Sequence, residues 1–322
     1  MEKFIKKVCV VGAGNWGMNH IKTLNEIGAL GGVVDIDDSR LLAVSDQYDG
    51  TLVYHNVADS LRRSFDGYII STPASTHFDV AKRIIKSKHH VLVEKPLALN
   101  VEDAEKLKTL ADEYGVNLMA GHLLLFHPAI ATIKKLIVDG AIGDVQYLYS
   151  NRLNLGVVRT EENILWSFAP HDISIFQHLI NDFPVEVVSR GGAFLRSNVH
   201  DTTMTILRYP NNIVGHVFVS WLHPFKEHRL VVIGSDGMIT FEDSSQEKSL
   251  YYYDKTVDFV DGQHVALDVK REKIDYQSKM PLKEELIYFT NHLDGKTLEI
   301  ASADHAIEVL RILETASKSL KV

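Results

Sequence analysis

The stretch KVCVVGAGNWGMNHIKTLNEIGALGGVVD, from Lys7 to Asp35, decides the fold. It opens with a short apolar run that stops at a glycine, as a buried strand does. Gly12-Ala13-Gly14-Asn15-Trp16-Gly17 follows, at the start of a helical segment over residues 15–27. In that setting a G-x-G-x-x-G has a mechanical reading. The first glycine permits the tight turn, the second lets backbone approach a pyrophosphate, and the third lets helix pack on strand. The helix N-terminus then offers N–H donors and a partial positive charge to phosphates. The competing reading is a plain glycine-rich turn, and Asp35 separates the two. It closes a second strand over residues 31–35, 35 − 17 = 18 positions after the last glycine, where a carboxylate accepts from an adenosine ribose. Asp37 and Asp38 concentrate negative charge there, which favours NAD over NADP, while Arg40 is the residue that would receive a 2′-phosphate.

Working outward, strand and helix signals alternate. Strands are expected at 52–53, 67–70, 90–93 and 117–120, with helices at 40–46, 76–86 and 101–114. Short, fully apolar strands between helices are what a parallel sheet covered on both faces requires, and right-handed crossovers make it doubly wound. Beyond His122 come a helix over 128–139, a long alternating strand over 145–154, and a helix over 171–179. Further period-two strands are expected at 187–193, 202–209, 213–220, 229–234 and 238–241, then helices over 282–292 and 303–317. The expected fold is α/β: a Rossmann domain, 1–121, and an α+β domain with an open, mainly antiparallel sheet, 122–322, whose last helix can pack back on the first.

Bulk properties narrow the classes. At 322 residues two cores are expected. The 34 basic and 42 acidic residues leave a charge of −8, against the basic surface that nucleic acid demands. Cys9 is the single cysteine, so neither an intrachain disulfide nor a cysteine zinc site is expected, which suits a reducing cytoplasm. No metal site is expected. No run of about 18 apolar residues predicts a membrane span. Lys3, Lys6 and Lys7 before Val8 to Ala13 mimic a signal peptide, but the run breaks at Gly14, Asn15 and Trp16, so a first strand is the reading.

Ligands of open parallel sheets lie beyond the carboxyl ends of the strands. Ser71, Thr72, Pro73 and His77, then Glu94 and Lys95 before Pro96, and finally His122 all fall on that edge. The first six are expected at the cofactor with Gly12, Gly14, Asn15, Trp16, Gly17 and Asp35, and His122 at the substrate.

The combination GAGNWG, STPASTH, EKPLAL and a later P-H-D-I resembles the Gfo/Idh/MocA family, that of glucose–fructose oxidoreductase, inositol 2-dehydrogenase and rhizopine catabolism proteins. The resemblance implies pyridine-nucleotide redox chemistry at a sugar-like hydroxyl and an open C-terminal sheet that mediates oligomers. It also makes Lys95 the active-site lysine, often followed by a cis proline. The family carries Asp-x-Gly-x-His-x-x-Asp at the start of a helix. Here the segment reads Ser167-Phe168-Ala169-Pro170-His171-Asp172-Ile173-Ser174. His171 matches the catalytic histidine. Ser167, Ala169 and Ser174 depart from the pattern and Asp172 adds an acid, which argues against a plain inositol dehydrogenase. The alternative for His171 is a helix cap.

The implied chemistry is oxidation of a secondary alcohol. His171 would take the hydroxyl proton, its ring titrating natively at about 6.5. The Lys95 ammonium would steady the developing alkoxide. Arg152 and Asn154, alternating against Asn151 and Leu153, lead into Arg159, Thr160, Glu161, Glu162 and Asn163 and suit a hydroxylated, anionic ligand. Trp166, Ser167, Asp172, His127 and Trp221-Leu222-His223-Pro224 add candidate substrate surface.

The stretch NRLNLGVVRTEENILWSFAPHDIS resembles the nucleotide-sugar branch, which oxidises C3 of UDP-linked N-acetylamino sugars such as UDP-N-acetylglucosamine. An aminotransferase then consumes the ketone for lipid A or surface glycans. The rivals are a free sugar or polyol dehydrogenase, a redox-neutral enzyme that retains its cofactor, and a non-catalytic NAD-binding regulator. A homodimer or homotetramer is expected.

Overall fold

A computed structural model describes residues 6–156, 158–159, 162–254, 257–266 and 270–320. It divides into two compact units: Met1–His127 with Lys279–Leu310, and Pro128–Ser278 with Arg311–Val322.

The first unit alternates β1 (Val8–Val11), α1 (Asn15–Glu26), β2 (Leu30–Val34), α2 (Asp38–Gln47), β3 (Leu52–Tyr54), α3 (Val57–Ser60), β4 (Gly67–Ile70), α4 (His77–Lys86), β5 (His90–Glu94), α5 (Val101–Tyr114) and β6 (Leu118–Gly121). Its six strands are all parallel, ordered β3-β2-β1-β4-β5-β6. β1 and β4 are wholly buried, which is why four-residue apolar runs suffice as central strands. The order reverses between β1 and β4, so Gly12 after β1 and Ser71 after β4 border the crevice where open α/β sheets bind ligands. α5 starts where the Asn100 side chain accepts from Asp103 N–H and stops at Gly115, left-handed at φ 66°.

The second unit holds α6 (Pro128–Val138), β7 (Val145–Leu155), α7 (Ile164–Ile180), β8 (Glu186–Gly192), β9 (Thr202–Arg208), β10 (Val214–Ser220), β11 (Leu222–Gly234), β12 (Gly237–Glu242), β13 (Leu250–Asp254), β14 (Val257–Val260), β15 (Gln263–Ala266) and β16 (Arg271–Lys273). Eight of these strands make one sheet, β16-β13-β12-β11-β7-β10-β9-β8, antiparallel throughout except for β7 with β10. β14 and β15 form a separate hairpin. α7 packs on β10 in the sheet, and the Phe176 ring comes within 3.0 Å of where a Cβ on Gly215 would stand.

Last come α8 (Pro281–Asn291) and α9 (Ala303–Ser319). The sequence reading left 122–322 as one domain apart from its last helix, whereas here α8 and the chain to Leu310 group with the first unit. The reason is packing. Buried Leu286, Phe289 and Leu293 complete that unit's core, with Phe289 and Leu293 filling the space beside Gly67, and Ala120 N–H donates to the Ala301 carbonyl at 2.9 Å.

The starts of α7 and β11 differ from expectation, and one hairpin was not expected, each for a physical reason. α7 begins at Ile164, not residue 171, because Asn163 caps it by accepting from Trp166 N–H and Pro170 is carried inside the helix, where proline usually signals an end. β11 begins at Leu222, not residue 229, and its ladder to β7 is interrupted between Leu222 and Glu227, the gap that holds Pro224. The β14–β15 turn is Asp261-Gly262, both at positive φ, an Asp-Gly hairpin signal that the sequence reading passed over. Among the described residues no helix is long and apolar enough to cross a membrane.

Candidate functional site

The glycine loop fits a dinucleotide on its own geometry. Gly12 has φ +97°, and a Cβ there would meet the Ser71 carbonyl oxygen at 2.8 Å. A Cβ on Gly17 would stand 1.9 Å from the Gly12 carbonyl oxygen, so only glycine lets α1 start this close to β1. Gly14 has open space around it, and the first turn of α1 has neither a side-chain cap nor an acidic residue. Asn15 and Trp16, the latter 40% exposed, begin that turn. Its amide donors therefore remain for a phosphate.

Asp35 is buried at the end of β2. Its carboxylate accepts from Ala13 N–H at 2.6 Å and from Asp37 N–H at 2.9 Å, bracing the loop. An ionised carboxylate has about four acceptor positions, so capacity remains for ribose hydroxyls. Arg40 lies 3.5 Å from Asp35 and 3.6 Å from Asp37.

Glu94, Lys95 and Pro96 turn away from the end of β5, with the Lys95-Pro96 peptide cis. Glu94 is a junction. One carboxylate oxygen accepts from Trp16 Nε1 and lies 2.6 Å from His20 Nε2, and the other accepts from Lys95 N–H at 3.2 Å. The motif thereby ties the glycine loop to the turn that carries Lys95. Thr72 and Thr76 pair by their hydroxyls at 2.7 Å, and Thr76 also donates to the Pro73 carbonyl. His77 is buried between the carbonyls of Thr72 and Pro96.

Three residues that the sequence reading missed sit around this edge. His20 is one helical turn after Trp16, a spacing that could have been noticed. Glu285 occupies an apolar position of α8 between Leu282 and Phe289. It is fully buried, both its carboxyl oxygens lack a hydrogen-bond partner among the described residues, and burial together with the Glu94 charge raises its pKa well above the carboxylate range. His305 meets His122 edge-on at 5.5 Å. His122 is buried, and burial first, then His305 and Lys95, push its pKa well below the ordinary value. It is a neutral imidazole within electrostatic reach of the Lys95 ammonium.

In the second unit the expected substrate residues divide. Arg152 faces α7 and is committed: its Nε donates to Asp172 at 2.7 Å and its Nη2 at 3.1 Å, a two-pronged pair in which Asp172 is buried and Arg152 largely so. Ser150 donates to the same carboxylate, and His228, pushed down to about 4 by burial and Arg152, lies 3.4 Å from the guanidinium. This network spans β7, α7 and β11. Trp221 is core, fully buried, with Nε1 donating to Asp201 at 2.6 Å, not the stacking surface expected of it. Trp166 donates to Ser317 at 2.9 Å. Arg159 is exposed and pairs with Glu162 at 3.1 Å, while Thr160 and Glu161 lie outside the described residues. Asn154 is half-buried on β7. His171 and buried Ser167 stand in the interior of α7, so the helix-cap reading of His171 is set aside.

Residues 6–122 match the model described as "Oxidoreductase family, NAD-binding Rossmann fold", and residues 130–240 match the "GFO/IDH/MocA C-terminal domain". A 2,7-anhydro-N-acetylneuraminate hydratase from Escherichia coli is 25% identical over 296 residues, covering 84% of this chain and 77% of that protein. A UDP-N-acetylglucosamine 3-dehydrogenase from Acidithiobacillus ferrooxidans is 26% identical over 283 residues, covering 88% and 87%. The solved structure of the Acidithiobacillus ferrooxidans enzyme GnnA superposes with a TM-score of 0.86 at 24% identity, over 98% of this chain and 97% of that one, a likeness of fold. With both halves matched in order, the chain belongs to the Gfo/Idh/MocA family of oxidoreductases, with an NAD-binding Rossmann domain and the family's C-terminal domain.

Proposed function

We propose that the protein is an NAD-dependent dehydrogenase that oxidises C3 of a UDP-linked N-acetylamino sugar such as UDP-N-acetylglucosamine. The observation that carries the reading is Lys95 on the strand-end edge that also holds the glycine loop, joined to it through Glu94. The preference for NAD is supported by Asp35 at the end of β2 and by Arg40 held between Asp35 and Asp37.

The bound nicotinamide supplies a hydride acceptor. The chain supplies the rest. Gly12, Gly14 and Gly17 with the first turn of α1 hold the phosphates, and the Ser71-Thr72-Pro73 turn flanks the cofactor. The Lys95 ammonium donates to the substrate oxygen and stabilises the negative charge that develops there as the hydroxyl proton is removed, ahead of hydride departure from carbon. His171 removes the hydroxyl proton. Neutral His122 offers a hydrogen bond without adding charge. With Arg152 tied to Asp172, exposed Arg159 is the better candidate for a diphosphate. The product is a 3-keto sugar nucleotide, which an aminotransferase would consume. A homo-oligomer would form through the open face of the second sheet, where Met204 and Ile206 are exposed.

The test is NADH formation with UDP-N-acetylglucosamine, myo-inositol and glucose as separate substrates. Turnover with the sugar nucleotide alone is expected, and turnover with myo-inositol alone overturns the substrate assignment. A second reading, a redox-neutral enzyme that retains its cofactor, is favoured by the relative named as a hydratase. It predicts product without net NADH in the same assay.

A further inference from the structure

His77 opens α4, the crossover helix between neighbouring parallel strands β4 and β5, and is 1% exposed. Its two ring nitrogens reach two different turns. Nε2 lies 2.9 Å from the Thr72 carbonyl, in the turn after β4, and Nδ1 lies 2.8 Å from the Pro96 carbonyl, in the turn after β5.

Carbonyl oxygens only accept hydrogen bonds, so each contact needs an N–H on the ring side. An imidazole with one N–H makes one such bond and sets a nitrogen lone pair against an oxygen lone pair at the other. Both contacts, at 2.8 and 2.9 Å, lie within hydrogen-bond distance, and a ring carrying both N–H groups would donate to each carbonyl. The Thr72 side is stiffened by its own contacts, since Thr76 N–H and Thr76 Oγ1 both donate to the Pro73 carbonyl at 2.9 and 2.7 Å. The Pro96 side is fixed from behind by the bond from Lys95 N–H to Glu94. The ring is therefore a direct polar link between the two turns.

We propose that His77 is a positioning residue, a two-donor strap that sets the spacing between the Ser71-Thr72-Pro73 turn and the Glu94-Lys95-Pro96 turn and thereby aims Lys95. This departs from the expectation that His77 contacts the cofactor, and its kinetic consequence rests on the dehydrogenase function proposed above.

Two measurements on the full-length protein test it. The first is nitrogen-15 NMR of the ring of His77, identified by its loss in His77→Gln, without substrate. Two protonated ring nitrogens with couplings across both hydrogen bonds are expected, whereas one unprotonated nitrogen overturns the strap. The second is kinetic. Gln at 77 has both amide N–H donors on a single nitrogen and cannot span carbonyls on opposite edges of the ring, so His77→Gln should lower kcat roughly tenfold to hundredfold, the scale for a slightly misplaced group. The Kd for NADH should change less than kcat, because the glycine loop that holds the phosphates is untouched while only the Ser71-Thr72-Pro73 turn at the cofactor's flank is loosened. An unchanged kcat in a folded variant, or a loss shared equally by kcat and NADH affinity, overturns it. The NMR result needs no turnover, so it separates failure of the strap from failure of the proposed reaction.

Discussion

The two units build their candidate sites in opposite ways. In the first, the groups sit at consecutive strand ends of a parallel sheet, and topology alone lines up Gly12, Ser71, Lys95 and His122 on one edge. In the second, Arg152, Asp172 and His228 come from a strand, a helix and a second strand, and what joins them is a buried ion pair. A parallel sheet turns sequence order into a site, whereas a mixed sheet needs specific side-chain partners to make one.

The largest effect should come from removing one chemical group from each unit. Lys95→Ala and His171→Ala are each expected to cut kcat by roughly 10²–10⁴, the span for general acid–base groups. If steady-state kinetics find only the Lys95 variant impaired, the second unit binds but does not react. Next in size is the buried pair. Arg152→Ala should lower unfolding free energy in a urea titration by about 3–5 kcal/mol, since it strands the Asp172 charge. A cost below about 1 kcal/mol would mean that the guanidinium is not committed to the fold and is released for a ligand. Gly17→Ala probes the first unit's dependence on backbone approach, and overpacking against the Gly12 carbonyl should cost about 1–3 kcal/mol in the same titration.

How far each site could be read from the chain follows the same contrast. The glycine loop, Asp35 and the Glu94-Lys95-Pro96 turn are contiguous motifs whose chemistry is local, and they lie on the edge expected of them. Arg152 read as a ligand residue because a strand's polar row carries no mark of which residue already has a partner; Asp172, 20 positions away, neutralises it. The start of α7 was hidden by Pro170, and the start of β11 by Pro224, since proline is an ending signal in both periodicities. Glu285 was hidden because a lone acid on an apolar helix face looks like an error in the pattern.

Glu285 gives the smallest expected change and the sharpest sign. Burial and Glu94 raise its pKa, so the folded chain keeps a proton that the unfolded chain releases above about 4.3. That contribution to stability is complete below the unfolded value and is lost as pH rises through the folded one. Glu285→Gln stays neutral, so its Tm should match the wild type near about pH 4 and exceed it near about pH 8, by scanning calorimetry. A variant less stable than wild type at the higher pH would mean that Glu285 is ionised and paired.

A crystal structure with NAD and UDP-N-acetylglucosamine bound tests the proposed roles of Lys95 and His171 most directly. Lys95 Nζ and a ring nitrogen of His171 should both lie within about 3.2 Å of the sugar's 3-hydroxyl oxygen, with C3 facing the nicotinamide. A complex in which either group is directed elsewhere, or in which another carbon faces the ring, contradicts the account.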